Sequence, residues 1–153
     1  MIFCTVGTQA PFDRLIKIVD EIAAEIDEEI VAQVYRTNYV PKNIKTVDFL
    51  SPDEFNQYLS SARLIVAHAG MGSIISAMHH RKPIVVFPRI AKLGEHRNEH
   101  QMATAKKMEE LGYVYVAYEG SQLKNFVLSD LKSLKELGAY ASASLIEEIK
   151  KQI

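Results

Sequence analysis

Residues 64–80 read LIVAHAGMGSIISAMHH, and this stretch decides the fold. The apolar run Leu64–Ala67 predicts a short buried strand, which is interrupted by the turn that holds Gly70 and Gly72. Apolar residues at helical spacing follow and predict a helix that continues to about His80. A strand that leads through a glycine-containing turn into a helix is typical of a parallel βαβ unit.

The same alternation extends from this stretch to both ends of the chain. Five further strands are predicted, at Ile2–Val6, Ile30–Tyr35, Lys45–Leu50, Ile84–Phe87 and Tyr113–Ala117. Further helices are predicted at Pro11–Glu28, Ser51–Ser61, Glu99–Leu111, Gly120–Leu137 and Tyr140–Ile153. This alternation favours an α/β fold with a doubly wound, mostly parallel, Rossmann-like sheet. Because no linker, repeat or low-complexity segment interrupts it, we expect residues 1–153 to form a single domain.

The composition excludes several classes of protein. A chain of 153 residues with 48% apolar and 24% charged residues resembles an ordinary globular domain. The net charge of −1, from 18 basic and 19 acidic side chains, argues against nucleic-acid binding. The single cysteine, Cys4, excludes an internal disulfide and a CxxC zinc site, which favours a reducing, cytoplasmic compartment. No apolar run approaches the roughly 20 residues of a membrane helix, so we expect any membrane association to come through another protein.

The turn after the fourth strand is a candidate anion site. In doubly wound sheets, ligands bind at the carboxyl ends of the strands, near the point where the strand order reverses. Gly70 and Gly72 would let the backbone approach an anion, while Ser73 and the start of the helix offer hydrogen-bond donors. A tight turn without any ligand explains this spacing equally well. Neither the G-x-G-x-x-G nicotinamide motif nor a Walker A motif is present.

The loop after the fifth strand is a second candidate. Residues 88–101 carry many hydrogen-bonding groups and no apolar face. Since this loop is expected at the same edge of the sheet as the glycine turn, it favours recognition of a hydroxyl-rich ligand such as a sugar. The alternative is a solvated surface loop that enters a charged helix.

Motifs in these regions carry a resemblance to a known family. They are residues 6–9 (VGTQ) with 11–15 (PFDRL), 68–77 (HAGMGSIISA), 82–86 (KPIVV) and 94–101 (GEHRNEHQ). They resemble the C-terminal domain of glycosyltransferase family 28 over essentially the whole chain. The chain is similar in particular to bacterial exopolysaccharide and capsule enzymes in which this domain is a separate polypeptide. A eukaryotic relative is the cytosolic subunit of the enzyme that adds the second N-acetylglucosamine to dolichol diphosphate.

The resemblance implies a fold and a division of labour between two subunits. The fold would be the nucleotide-binding, C-terminal half of a GT-B glycosyltransferase. The donor would be a UDP-sugar, which is a substrate, so no cofactor is expected. A membrane-anchored partner subunit would bind the acceptor, a lipid-linked sugar, and would hold this chain at the inner face of the membrane. The reaction would be an inverting hexose transfer in exopolysaccharide or capsule biosynthesis.

The resemblance also assigns roles to residues. The donor diphosphate would be bound by Gly7, Thr8, Gln9, Gly70, Met71, Gly72 and Ser73. His100 and Gln101 match the polar pair that contacts the donor sugar, and Glu95, His96, Arg97 and Asn98 belong to a loop typical of the exopolysaccharide branch. Together with His68 and Arg89, these are the residues that we predict to bind the donor sugar and ribose. Two positions depart from the family pattern: Ser76 replaces a glutamate that holds the ribose, and Thr104 replaces a common asparagine. No residue is an evident general base, which the resemblance places on the partner.

Several alternatives stay open. His68 is either a structural histidine or a contact to phosphate or sugar. His96 and His100 have helical metal-ligand spacing, but no third ligand accompanies them, so no metal site is predicted. Residues 140–153 would pack either on their own sheet or on a partner, and self-association of the isolated chain is left open. The rival functions are a non-catalytic nucleotide-binding module in a polysaccharide synthase and a self-sufficient epimerase-like enzyme, which would need a second Rossmann-like domain.

Overall fold

Six parallel strands form one sheet in the part of the chain that the computed structural model describes, residues 1–132 and 134. In chain order they are β1 (Ile2–Thr5), β2 (Ile30–Gln33), β3 (Lys45–Val47), β4 (Leu64–Ala67), β5 (Ile84–Val86) and β6 (Tyr115–Val116). Their order across the sheet is β3-β2-β1-β4-β5-β6. Every pairing is parallel, which confirms the predicted doubly wound, Rossmann-like α/β sheet.

Five helices connect or follow these strands. They are α1 (Asp13–Ala23), α2 (Pro52–Ser61), α3 (Met71–His79), α4 (His100–Glu110) and α5 (Gly120–Leu128), and a short 3₁₀ turn spans Ala91–Leu93. The start of α2 follows its sequence closely. The Ser51 hydroxyl accepts a hydrogen bond from the Glu54 N–H at 3.2 Å, and the Glu54 carboxylate accepts one from the Ser51 N–H at 3.3 Å. This reciprocal capping satisfies two amide groups that the helix itself leaves free.

The helices cover the two faces of the sheet with separate apolar layers. On one face, α1 and α5 pack through residues such as Leu15, Ile16 and Leu123. On the other face, α2, α3 and α4 pack through residues that include Leu59, Ile74 and Met108. Since the strands are covered on both faces, all four residues of β1, β2 and β4 are buried.

The strand order places a crevice between β1 and β4. The chain moves from β1 toward β3 on one side and from β4 toward β6 on the other. Thr5 pairs with Gln33 on one side and with Ala67 on the other, so these three strands end at the same level. The loops after β1 and β4 therefore diverge at this edge, where ligands of doubly wound folds bind.

The elements are shorter than the periodicity predicted. Strand β2 ends at Gln33 because the chain turns at Tyr35 and Arg36, whose φ angles are 38° and 49°. Strand β6 has two residues rather than the five predicted. Helix α5 ends at Leu128, where Ser129 is extended, and not near residue 137. The helix predicted over residues 140–153 lies outside the described residues. In the described part, no helix is long and apolar enough to cross a membrane.

Candidate functional site

A cleft of about 760 Å³ opens at the carboxyl ends of β1 and β4. All seven residues predicted to bind the diphosphate line it: Gly7, Thr8, Gln9, Gly70, Met71, Gly72 and Ser73. Five of the eight predicted sugar-binding residues line it as well: His68, His96, Arg97, His100 and Gln101. The fold thus brings together three loops that lie up to 90 residues apart in the sequence, from position 7 to position 97.

The charge of this cleft is one-sided. Its ionisable lining residues are His68, His96, Arg97 and His100, and none of the described residues that line it is an aspartate or a glutamate. The whole chain has a net charge of −1, so the cleft differs from the rest of the molecule. A lining that can carry only positive charge favours an anionic ligand.

Helix α3 points its first turn into the cleft. Gly70 precedes the helix in an extended conformation, and no side chain caps the free amide groups that follow it. Ser73, in the first turn, lines the cleft and adds a hydroxyl group. Free N–H groups and the positive end of the helix dipole make this turn suited to phosphate oxygens.

The two glycine loops pack around the imidazole of His68. A methyl group built on Gly7 would lie 2.8 Å from Nε2 of His68, and one built on Gly70 would lie 2.5 Å from the same atom. Gly7 also has a φ of 78°, which disfavours other residues. A methyl group on Gly72 would meet nothing within 4 Å. Gly7 and Gly70 therefore make room for His68, whereas Gly72 is the glycine whose free space faces the cleft.

Gln101 ties the loops after β4 and β5 together. Its Oε1 accepts hydrogen bonds from the backbone N–H of Ala69 and of Arg89, each at 3.2 Å. Its Nε2 lies 3.0 Å from Nδ1 of His68. Burial lowers the pKa of His68 to about 3, and electrostatic repulsion from the neighbouring Arg89 and His96 adds to this effect. The imidazole is therefore neutral at physiological pH.

Sequence reasoning missed a second buried glutamine, Gln33, at the end of β2. Its Oε1 accepts from the Thr5 hydroxyl at 2.8 Å and from the Val6 N–H at 3.3 Å. Its Nε2 donates to the carbonyl oxygens of Gly7 at 2.9 Å and of Asp48 at 3.2 Å. Gln33 thus joins the loops after β1 and β3 beneath the cleft. A glutamine that ends an apolar strand was the available indication in the sequence.

The cleft also has an apolar end that the sequence did not predict. Leu50, Pro52 and Phe55 line it, from the loop after β3 and the first turn of α2. Ser76 and Thr104, the two positions that depart from the family pattern, line the cleft too. Leu50, Pro52 and Phe55 belong to no motif that we recognised, so only the fold places these three residues at the site.

Three of the predicted sugar-binding residues do not line the cleft. Arg89 is 2% exposed, and its guanidinium donates to four backbone oxygens, those of Val6, Ala10, Pro11 and Glu95. The Glu95 carboxylate pairs with Arg14 at 2.8 Å and accepts from the Ile90 N–H. The Asn98 side chain accepts from the His100 N–H at 2.9 Å. These residues hold the loop that carries His96 and Arg97 in place.

Comparison with known proteins agrees with this geometry. The sequence matches the glycosyltransferase family 28 C-terminal domain over residues 1–153. The chain belongs to this family. A mouse protein named UDP-N-acetylglucosamine transferase subunit ALG13 is 32% identical over 124 residues, which are 74% of this chain and 10% of that protein. The protein of the same name from Eremothecium gossypii is 27% identical over 110 residues, 71% of this chain and 52% of that protein. This chain thus spans about a tenth of the length of the mouse relative and about half of that of the Eremothecium gossypii relative.

Solved structures show the same fold. The solution structure of ALG13 has a TM-score of 0.65 at 21% identity, with 97% of this chain and 96% of that chain covered. Acinetobacter baumannii MurG has a TM-score of 0.62 at 16% identity, over 97% of this chain and 49% of that chain. The calicheamicin glycosyltransferase CalG4 has a TM-score of 0.63 at 14% identity, with 99% of this chain and 37% of that chain covered. The family 28 domain therefore has the fold of one half of a GT-B glycosyltransferase, as predicted.

Proposed function

We propose that this chain is the UDP-sugar-binding subunit of a two-component, inverting glycosyltransferase. The observation that carries the proposal is the cleft at the first turn of α3, which is lined by basic residues and has no carboxylate among its described lining residues. A nucleoside diphosphate fits this chemistry because it combines two phosphates with an aromatic base and hydroxyl groups. The names of the mouse and Eremothecium gossypii relatives, which describe a UDP-N-acetylglucosamine transferase subunit, support the same class of donor.

The donor would lie across the cleft in three parts. The diphosphate would contact Gly70, Gly72 and Ser73 at the start of α3, where the free N–H groups lie. The base would occupy the apolar end formed by Leu50 and Phe55. The sugar would extend toward His96, Arg97 and His100, which line the remaining side of the cleft.

This arrangement suits the departure of UDP. When the bond between the anomeric carbon and the β-phosphate oxygen breaks, negative charge develops on the diphosphate. Preorganised N–H groups and the dipole of α3 would stabilise that charge more in the transition state than in the bound substrate. The loop with His96 and His100 would orient the sugar for in-line attack by the acceptor hydroxyl.

The acceptor proton needs a base, which we place on the partner subunit. No carboxylate lines the cleft within the described residues, and Nδ1 of His68 is already hydrogen-bonded to Gln101. The names of the mouse and Eremothecium gossypii relatives support a partner, because each describes a subunit of a transferase. We propose that the partner is membrane-anchored, presents a lipid-linked sugar, and holds this chain at the cytoplasmic face of the membrane. We propose that the reaction transfers a hexose during exopolysaccharide or capsule assembly and that it needs no cofactor.

Binding of UDP to the purified chain tests the donor site. A ligand at about 100 times its dissociation constant stabilises a protein by about 2.7 kcal/mol, so UDP should raise the melting temperature and NAD should not. Gly72→Ala should keep the fold, because a methyl group there meets nothing within 4 Å, but should weaken UDP binding by filling the cleft. Gly120→Ala is the matched control: it adds a methyl group at the start of α5, in ordinary contact with Ile18 at 3.4 Å and away from the cleft.

The outcomes separate this proposal from its rival. Equal shifts with UDP and NAD, or no UDP shift even with a candidate partner present, would overturn the donor site. A UDP shift without sugar transfer by any reconstituted pair would favour the non-catalytic nucleotide-binding module instead. UDP-N-acetylglucosamine is the first donor to try, because the ALG13 relatives are named for it.

A further inference from the structure

The hydrogen bonds of Gln101 identify which of its two terminal amide atoms is the oxygen and which is the nitrogen. One of these atoms accepts hydrogen bonds from the backbone N–H groups of Ala69 and Arg89, each at 3.2 Å, so this atom is the oxygen. The other end is therefore the NH₂ group, which can only donate, and it lies 3.0 Å from Nδ1 of His68. Nδ1 must accept that hydrogen bond and carries no proton. A neutral imidazole then carries its proton on Nε2.

Nε2 of His68 faces the glycine turns. Gly7 and Gly70 both pack against it, because a methyl group built on either would lie within 2.8 Å of Nε2. Nε2 of His68 forms no hydrogen bond with any of the described residues. By contrast, every fully buried side-chain nitrogen or oxygen among those residues has a hydrogen-bond partner. Since His68 lines the cleft, its Nε2–H is a donor left for a ligand.

The groups that face His68 keep it neutral. Arg89 approaches from the loop after β5, and His96 approaches from the loop before α4; both disfavour a positive charge on the imidazole. Arg97 and His100 line the same cleft, and the loops after β1 and β4 contribute no titratable group next to His68. Burial lowers the pKa of His68 to about 3, so the Nε2–H tautomer persists through the neutral range.

We propose that Gln101 is a positioning residue that acts on the ligand through His68. By donating to Nδ1, it fixes the imidazole as the Nε2–H tautomer and presents that N–H to an anion bound at the Gly70 turn. Gln101 itself is 8% exposed and has both ends of its amide engaged inside the protein. The identity of the anion, a nucleoside diphosphate, rests on the proposed function; the tautomer does not.

The isosteric variant Gln101→Glu tests the tautomer directly. Its carboxylate still accepts the two backbone N–H groups but cannot donate to Nδ1, so Nδ1 must take a proton. In ¹⁵N-labelled protein, the imidazole correlation spectrum of the unmodified chain should show an unprotonated Nδ1 and a protonated Nε2 from pH 8 to pH 5.5. In Gln101→Glu, Nδ1 should be protonated, and the imidazole should take up a second proton within that range, because a carboxylate raises the pKa of a neighbouring histidine.

A second glutamine provides the control. Gln122 accepts two backbone N–H groups through Oε1, from Tyr118 at 2.7 Å and Glu119 at 3.2 Å, but lies at the start of α5, outside the cleft. Gln122→Glu should leave the His68 resonances unchanged. A protonated Nδ1 in the unmodified chain, or identical His68 spectra with and without Gln101→Glu, overturns the inference.

The affinity for UDP tests the consequence for the ligand. At pH 8 the Gln101→Glu variant should turn the lone pair of Nε2 toward the anion, and the dissociation constant should rise about tenfold or more. At pH 5.5 the doubly protonated imidazole again offers Nε2–H, so the ratio of variant to unmodified dissociation constants should fall. A ratio that is the same at both pH values excludes action through His68. If UDP binds neither the unmodified chain nor its pair with a candidate partner, the proposed function fails, while the spectra still decide the tautomer.

Discussion

His68 is neutral inside the fold, and this neutrality makes stability depend on pH. In the unfolded chain a histidine has a pKa of about 6.5, whereas burial lowers the pKa of folded His68 to about 3. Above pH 6.5 both states are neutral, and the residue adds no pH dependence. Below it, the unfolded state binds a proton that the folded state does not, so stability falls as pH falls. The loss is about 1.4 kcal/mol per pH unit, or about 2 kcal/mol at pH 5.

Replacement of His68 by glutamine should remove this dependence. We expect the free energy of unfolding of His68→Gln, measured in urea, to change less between pH 7 and pH 5 than that of the unmodified chain, by about 2 kcal/mol. His79→Gln, at the exposed end of α3, is the control and should keep the pH dependence of the unmodified chain. If the free energy of unfolding depends on pH in the same way for His68→Gln and the unmodified chain, His68 takes up its proton in the folded state.

For some single residues the local sequence predicts the position in the cleft, and for others it does not. Gly70, Gly72 and Ser73 lie in the cleft as predicted, because a strand, a turn and a helix in succession fix where the turn must lie. Arg89 follows a strand in the same way, but its guanidinium is taken by backbone oxygens of residues 6–11, about 80 positions away. No local pattern reveals that partner, so a buried structural arginine resembled a ligand-binding one.

Between elements, the cleft depends on two glutamines that join neighbouring loops. Gln101 joins the loops after β4 and β5, and Gln33 joins those after β1 and β3. Both amides are nearly buried, at 8% and 3% exposure. On each side of the crevice, a glutamine side chain thus joins two neighbouring loops by hydrogen bonds. Periodicity predicted the strands that carry these loops, but not the polar contacts that hold the loops at fixed positions.

Loss of the Gln33 amide should loosen one side of the cleft. Gln33→Leu removes the partners of the Thr5 hydroxyl and of the Gly7 and Asp48 carbonyl oxygens. Leaving buried polar groups without partners should lower the free energy of unfolding by about 2–3 kcal/mol. Gln9→Leu, an exposed glutamine in the neighbouring loop, should change it by less than about 0.5 kcal/mol. Denaturant unfolding measures both, and equal small changes would mean that Gln33 does not hold the loops.

At the scale of the whole molecule, the loops at the carboxyl ends of the strands also carry exposed apolar side chains. Phe49 and Leu93 are 75% and 60% exposed, and they follow the carboxyl ends of β3 and β5, on the side of the sheet that holds the cleft. In an isolated domain, large exposed apolar residues gathered at one edge indicate a surface that another protein covers. Since the proposed partner must bring its acceptor to this cleft, the same edge is where we expect the two subunits to meet.

Leu93→Ser tests that arrangement, because Leu93 does not line the cleft. We expect UDP affinity of the isolated chain to stay unchanged, while sugar transfer by the reconstituted pair falls about tenfold at limiting partner concentration and recovers when the partner is in excess. Leu128→Ser is a matched control: Leu128 is also 60% exposed, but it ends α5 at the opposite edge of the sheet, so transfer should not change. Equal losses in both variants would point to a general effect on stability, and no loss in Leu93→Ser would place the partner on another face. Recovery at excess partner is the decisive readout, because a variant defective in chemistry rather than in association would remain slow however much partner is added.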